Sequence, residues 1–341
     1  MNRIIGLALL LCALPAGATG GPVELAALGS LQLEFEQAVP VEVYPGQRVA
    51  AQVTFRKGEA FNVPSPGRVQ QIEYLVEPGA AVQQGQPFAV LRGPEMHHFE
   101  MRFESSQALA ESAERRFKSN RELYKRKAIS ESQWQEISEK YYELMLEYEH
   151  MRHFFELVVG GDNDPDALTL AAPLASQIDY SSAEHRVEEG DSIAQFVPAS
   201  AIRLEVALPV ASAREVSAVR VGDCELAIER VGAMTDGFFV QAWTGALPAS
   251  CGLMLGQQVL ATPLLRVSGA YRVPRTAVFQ LEHESFVLVR SGASLTAVAV
   301  VLLAAEDGDY VLQTATPLDA ADVLVSSVSA VQGIMLGLGG E

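Results

Sequence analysis

The stretch VPSPGRVQQIEYLVEPGAAVQQGQPFAVLRGPE, residues 63 to 95, decides the fold. Its short apolar runs are cut by Pro66-Gly67, Pro78-Gly79 and Gly85-Gln86. Proline presets a turn dihedral and glycine accepts positive φ, so each pair ends one strand and reverses the chain into the next. Residues 170 to 209, LAAPLASQIDYSSAEHRVEEGDSIAQFVPASAIRLEVALP, repeat the theme: Pro173 answers Pro66, Gly190 answers Gly79 and Ile193 answers Val82. A few short strands cannot enclose a core alone, so the two copies read as halves of one small β-sandwich interrupted by what lies between them.

The interruption has helical period. Phe103, Ala110, Phe117 and Tyr124 recur every seven positions, with Phe99 and Ala113 filling alternate sites. After Ala128-Ile129-Ser130, the residues Trp134, Ile137, Tyr141, Leu144, Tyr148, Met151, Phe155 and Val158 alternate spacings of three and four, the seam of a helix packed on one partner. Ser130 followed by Gln133 is a capping-box pattern that starts the second arm. Each arm of about 30 residues spans roughly 45 Å at 1.5 Å per residue, and an antiparallel hairpin centred on residue 128 follows. Arg115, Arg116, Lys118, Arg121, Lys125, Arg126 and Lys127 crowd the end of the first arm, with Glu122 the lone anion among them. Folded back, they face Glu131, Glu136, Glu139 and Glu143, which predicts ion pairs across the hairpin and suits both helix dipoles. A solvated coiled-coil face explains such pairing, but not why the cations gather at the far end.

Outward from this centre the chain is strands and turns. Residues 20 to 61 alternate in short segments such as LQLEF and VAAQVTF. After residue 210, VGDCELAIERVG, FFVQAWTGALP and LGQQVLATPLL suggest a small barrel, and YRVPRTAVFQ, ESFVLVRSG, LTAVAVVLLA and DYVLQTATPL a second β unit. The fold class is mainly β with an α-helical hairpin.

Composition agrees. The 341 residues, 49% hydrophobic with 27 Gly and 17 Pro, exceed what one core organises. A net charge of −17 excludes nucleic acid, whose backbone is bound by clustered cations. Residues 1–18, MNRIIGLALLLCALPAGA, show a basic start at Arg3, an apolar run and small residues at Ala16 and Ala18, the pattern of a cleaved secretory signal. The run is too short for a transmembrane anchor, which needs about 20 apolar residues. Cleavage leaves Cys224 and Cys251, either bridged in an oxidising compartment or two buried thiols.

No catalytic pattern emerges. The chain contains no G-x-S-x-G elbow, no phosphate-binding glycine loop and no H-E-x-x-H. A biotinyl or lipoyl carrier would present a lysine on the turn that the hairpin occupies here, and none of the five lysines sits there. The chain therefore reads as no enzyme and needs no cofactor. His97, His98, His150 and His153 do gather at the hairpin base with Met101 near them. Imidazole and thioether ligands together suit Cu(I) or Zn, which opens an alternative: an exported protein that captures or delivers such a metal.

Taken in order, P-S-P-G-R-V at 64–69, E-P-G-A-A-V-Q-Q-G-Q-P at 77–87, the hairpin, L-A-A-P at 170–173, S-A-I-R-L-E-V-A-L-P at 200–209, G-L-M-L-G-Q-Q-V at 252–259 and V-P-R-T-A-V at 273–278 resemble the periplasmic adaptor (membrane fusion) subunits of RND-type efflux pumps. The nearest branch is heavy-metal efflux, where such pumps serve metal resistance. The resemblance implies a signal peptide at 1–18, N-terminal strands at 19–61, lipoyl-like halves at 62–94 and 159–199, the hairpin at 95–158, a β-barrel at 200–265 and a membrane-proximal β domain at 266–341. It implies a periplasmic protein, held at the inner membrane through an RND transporter, bridging that transporter to an outer-membrane channel and self-associating in a hexameric ring. The family docks its hairpin tip on the channel through an Arg, a Leu four residues later and a Ser seven beyond. Leu123 and Ser130 match, the Arg position holds Ser119, and Arg116 and Arg121 are the nearest substitutes. Two further departures are four extra residues between Pro173 and Gly190, and Thr235-Asp236 where the barrel usually carries Thr-Arg.

Overall fold

The protein is described by a computed structural model covering residues 21–160, 164–180 and 187–338. The expected leader and part of the insertion before Gly190 fall outside these residues. The chain divides into two compact units, one formed by residues 51–206 with 243–259, the other by residues up to 50, 207–242 and those from 260 onward.

The first unit holds two four-stranded antiparallel sheets. One runs in the order Phe61–Pro64, Ser192–Val197, Ser176–Asp179, Ala81–Val82; the other runs Gln71–Tyr74, Pro87–Arg92, Ala167–Ala171, Val158–Val159. Each takes strands from both sides of the helices, and Val69 bridges to Val187. Phe88, Leu91, Leu170, Ile178, Ile193 and Phe196 are wholly buried between them, Phe88 meeting Phe196 edge-on at 5.0 Å. Such an aromatic pair adds about 1 kcal/mol to the burial of its surface. Gly79 and Gly190 both turn with φ above +80°, which an L side chain resists, so glycine holds the same corner in each half.

Between these strands stand α1, Pro94–Lys125, and α2, Glu131–Phe155. Pro94 opens α1, where its missing N–H costs nothing. Met96, Phe99 and Met151 at the helix bases are buried in the sandwich core, so the hairpin is rooted in it. Above them aromatic rings fill the seam: Phe103 stacks between Tyr148 and Phe155, and Phe117 between Trp134 and Tyr141. The capping box is present, with Ser130 Oγ accepting from Gln133 N–H at 3.2 Å and Gln133 Oε1 from Ser130 N–H at 3.0 Å.

Two sequence expectations fail here. Val158, the last member of the α2 seam pattern, is not helical. It pairs with Leu170 in the sheet, where Ala171 N–H also finds the Leu157 carbonyl, and the ladder outcompetes one more helical turn. The charge pairing is also local. Arg115 meets Glu111, Lys118 meets Glu114, Lys125 meets Glu122 and Lys140 meets Glu143, each within one helix turn. An i,i+3 or i,i+4 partner is held in reach by the helix itself, whereas a partner across the seam lies beyond a row of aromatic side chains.

In the second unit antiparallel strands bring chain ends together. Val39–Pro45 pairs with residues 264–272, Phe35–Gln37 with Asp322–Leu324, and Val23 with Leu295. Val216–Val221 pairs with Cys224–Ala227 and with residues 262–265. Helix α3, Val328–Met335, buries Val328 and Val331 against Leu28, Phe279, Phe286, Leu288, Leu295 and Leu324. Among the described residues no helix is long and apolar enough to cross a membrane.

Candidate functional site

The far end of the hairpin is built by the stop of α1 and the start of α2. Lys127 takes φ +58°, reversing the chain, and Ala128 N–H closes the turn on the Leu123 carbonyl at 2.9 Å. Tyr124 stacks on Trp134 at 5.3 Å, so the tip is pinned from within while its outer surface stays open. Leu123 is 41% exposed, an apolar side chain kept in water by the turn geometry.

Arg116, Arg121, Arg126 and Lys127 lie on the same end of the hairpin, all exposed. Lys118 and Lys125 have carboxylate partners on their own helix; those four have none among the described residues. Their field shows in Glu122, whose carboxyl is held below its ordinary range, first by the hydrogen bond and charge of Lys125, then by the charges of Arg126 and Arg121. Ser119 donates its hydroxyl to the Arg116 carbonyl at 3.1 Å. Ser130 spends its hydroxyl on the cap. The tip thus presents an exposed leucine on a segment with four exposed cations that have no carboxylate partner among the described residues.

The histidines do not converge in the same way. His98, His150 and His153 are exposed, His97 is half-buried with its Nδ1 unpartnered, and the His97 and His98 rings stand 6.3 Å apart. His153 Nδ1 looks toward Glu156 at 3.8 Å. Met101 is half-exposed, and the nearby Met96 and Met151 thioethers are buried in the sandwich core. Among the described residues no group of three or more His, Cys, Asp or Glu is placed to hold a metal ion. Cys224 and Cys251 are both disulfide-bonded.

One exposed feature escaped the sequence reading. The strand Cys224–Asp236 ends in a turn at Gly237 that leaves Met234 and Phe238 more than four-fifths exposed. Its signal was present as apolar residues on both sides of Asp236-Gly237, a hairpin turn dipeptide.

No family model matches the chain, and no curated protein does. Among solved structures it is similar to ZneB from Cupriavidus metallidurans, at 14% identity over 86% of this chain and 92% of that one, with a TM-score of 0.37. It is similar to MacA from Actinobacillus actinomycetemcomitans at 10% identity, over 86% of this chain and all of that one, TM-score 0.40. It is also similar to the membrane fusion protein Spr0693 from Streptococcus pneumoniae at 10% identity, over 63% of this chain and 99% of that one, TM-score 0.38.

Proposed function

We propose that the chain is a periplasmic adaptor of a tripartite RND-type efflux pump, bridging an inner-membrane transporter to an outer-membrane channel. The observation that carries the reading is the helical hairpin rooted in a β-sandwich built from both flanking segments and ending in an exposed leucine among unpaired cations. A hairpin rooted in the β-sandwich holds its tip away from that sandwich, an arrangement that supports a structural bridge. It joins the ordered motifs that resemble the adaptor family, in which Leu123 and Ser130 occupy docking positions.

In this role Leu123 enters an apolar recess on the channel, and Arg116 and Arg121 meet acidic groups around it. Ser130 contributes by fixing the start of α2. The β domains engage the transporter, and a cleaved leader delivers the chain to the periplasm. The test is Leu123→Asp. Placing a carboxylate in a desolvated contact lowers affinity for the partner channel about tenfold or more, with loss of efflux and no loss of helix content. Wild-type binding and efflux in that variant would overturn the proposal.

A further inference from the structure

In the second unit one strand changes neighbours along its length. Residues 262–265 of Gln258–Pro274 pair with Val216–Val221, and residues 270–274 with Asp309–Gln313. The register with a third strand, Val39–Pro45, skips from Arg266 to Ala270. Val267, Ser268 and Gly269 thus lie outside all three ladders, and Gly269 takes φ +66°, which an L side chain resists. Such an interruption bends the strand and parts its neighbours. It opens a cleft of about 810 Å³ lined by Val41, Ser217 and Thr314, and a smaller hollow of about 500 Å³ that shares Arg266, Val267 and Ser268 with it. Volumes of this order hold small molecules.

Arg266 lines both spaces and is exposed. Glu42 and Asp319 line the larger and Glu215 the smaller, all three exposed as well. Among the described residues none of these four side chains has an ion-pair partner. Arg272 on the same strand and Arg220 on its neighbour show the alternative, both reaching Glu306, at 3.4 and 3.5 Å. A guanidinium and three carboxylates that share walls without closing on one another leave both signs open to a third molecule.

We infer that this cleft binds a short basic peptide, its terminal carboxylate on Arg266 and its ammonium groups on Glu42, Asp319 and Glu215. Charge selects this class over its rivals. The planar guanidinium fork matches a carboxylate, whereas the surrounding acids repel a phosphate or a dicarboxylate. A polyamine suits the acids but has nothing for Arg266 and sets like charge against it. A dipeptide such as Lys-Lys carries three ammonium groups and one carboxylate at neutral pH, one partner for each of the four side chains. Val41, Val43 and Pro317 give its methylene stems an apolar wall. Binding here is independent of the bridging role proposed above.

The test is isothermal titration calorimetry of the purified full chain with Lys-Lys at low salt, where exposed charges are least screened. One dipeptide binds per chain, and the C-terminal amide of Lys-Lys binds about tenfold more weakly because Arg266 loses its partner. Unspecific attraction to an acidic surface gives the reverse order, since the amide is the more cationic of the two. Arg266→Gln lowers affinity for the free acid about tenfold and no longer separates acid from amide, with an unchanged near-ultraviolet dichroism spectrum. The comparison of acid with amide on the wild-type chain stands whether or not that variant folds. Absence of saturable heat at about 10 mM dipeptide overturns the inference. So does equal or tighter binding of the amide, spermidine binding as tightly as Lys-Lys, or a folded Arg266→Gln chain that still prefers the acid.

Discussion

Tyr180 shows how one half-buried hydroxyl makes the sandwich sensitive to alkali. Its OH donates to the Val76 carbonyl at 2.7 Å and its ring lies 3.9 Å from that of Tyr74. Burial, then the neighbouring Tyr74 and Glu77, push it up to about 12, above the ordinary tyrosine value near 10. The folded chain holds this proton more tightly than the unfolded one. Its contribution to stability is therefore intact below about pH 10 and is lost as pH rises toward about 12. Tyrosinate absorbance in a spectrophotometric titration rises in at least two steps, the late one coinciding with loss of near-ultraviolet dichroism; a single step at the ordinary value contradicts the assignment. Ser130 makes a second residue-scale case. Ser130→Ala removes the acceptor for Gln133 N–H and costs about 1 kcal/mol locally, read as faster amide exchange in the first turn of α2, while Ser130→Asp retains protection. This cap was legible in the sequence because its partners are three residues apart. The burial of His97 was not, since it depends on where the helix base meets a sheet formed from distant strands.

At the scale of elements, the hairpin behaves as an insertion with adjacent ends. Arg92 pairs with Ala167, and Gly93 N–H reaches the Asp166 carbonyl at 2.9 Å, so the chain leaves and re-enters the sandwich at neighbouring points. Its lower turns belong to the core through Met96, Phe99 and Met151. Deleting residues 107–147 and joining Ser106 to Tyr148 by a short glycine-serine link keeps those turns and removes the rest. The expected product has an unchanged sandwich by near-ultraviolet dichroism and a melting temperature close to the parent's, with loss of the channel binding proposed above. Collapse of the sandwich would show that the upper hairpin stabilises it. Both arms and their seam could be read from the heptad spacing, because a helix repeats its buried face on a fixed period. The ion pairs could not: the same list of charges permits partners along a helix or across it, and only geometry selects the former. Val158 failed for a related reason, since an apolar residue at the end of a helical period also suits a strand.

Across the whole molecule, long-range strand pairing sets what the sequence could not convey. The turns around Pro66, Gly79 and Gly190 announced two sandwich halves because the motif occurs twice. Nothing local in Val23 or Phe35 points to Leu295 or Leu324 as partners, and that pairing appears only when the strands are laid side by side. The cysteines give a prediction at this scale. Both Cys224 and Cys251 are disulfide-bonded, so the leader-free protein, denatured without reductant, shows no free thiol and gains two on reduction. A thiol titrating before reduction would contradict the oxidised state. Charge also has a spatial sense: the formal −17 belongs mostly to the β segments, while seven cations gather between residues 115 and 127 at the end of the hairpin.

Because the hairpin begins and ends at adjacent points of one sheet, its length is independent of everything beneath it. Adding or removing one heptad in each arm moves the tip by about 10 Å at 1.5 Å per residue and leaves the seam in register. The sandwich fixes the zero of a ruler, and the number of matched heptads sets how far from it the tip stands. Paired insertions alone change that reach, with no residue of the β core altered.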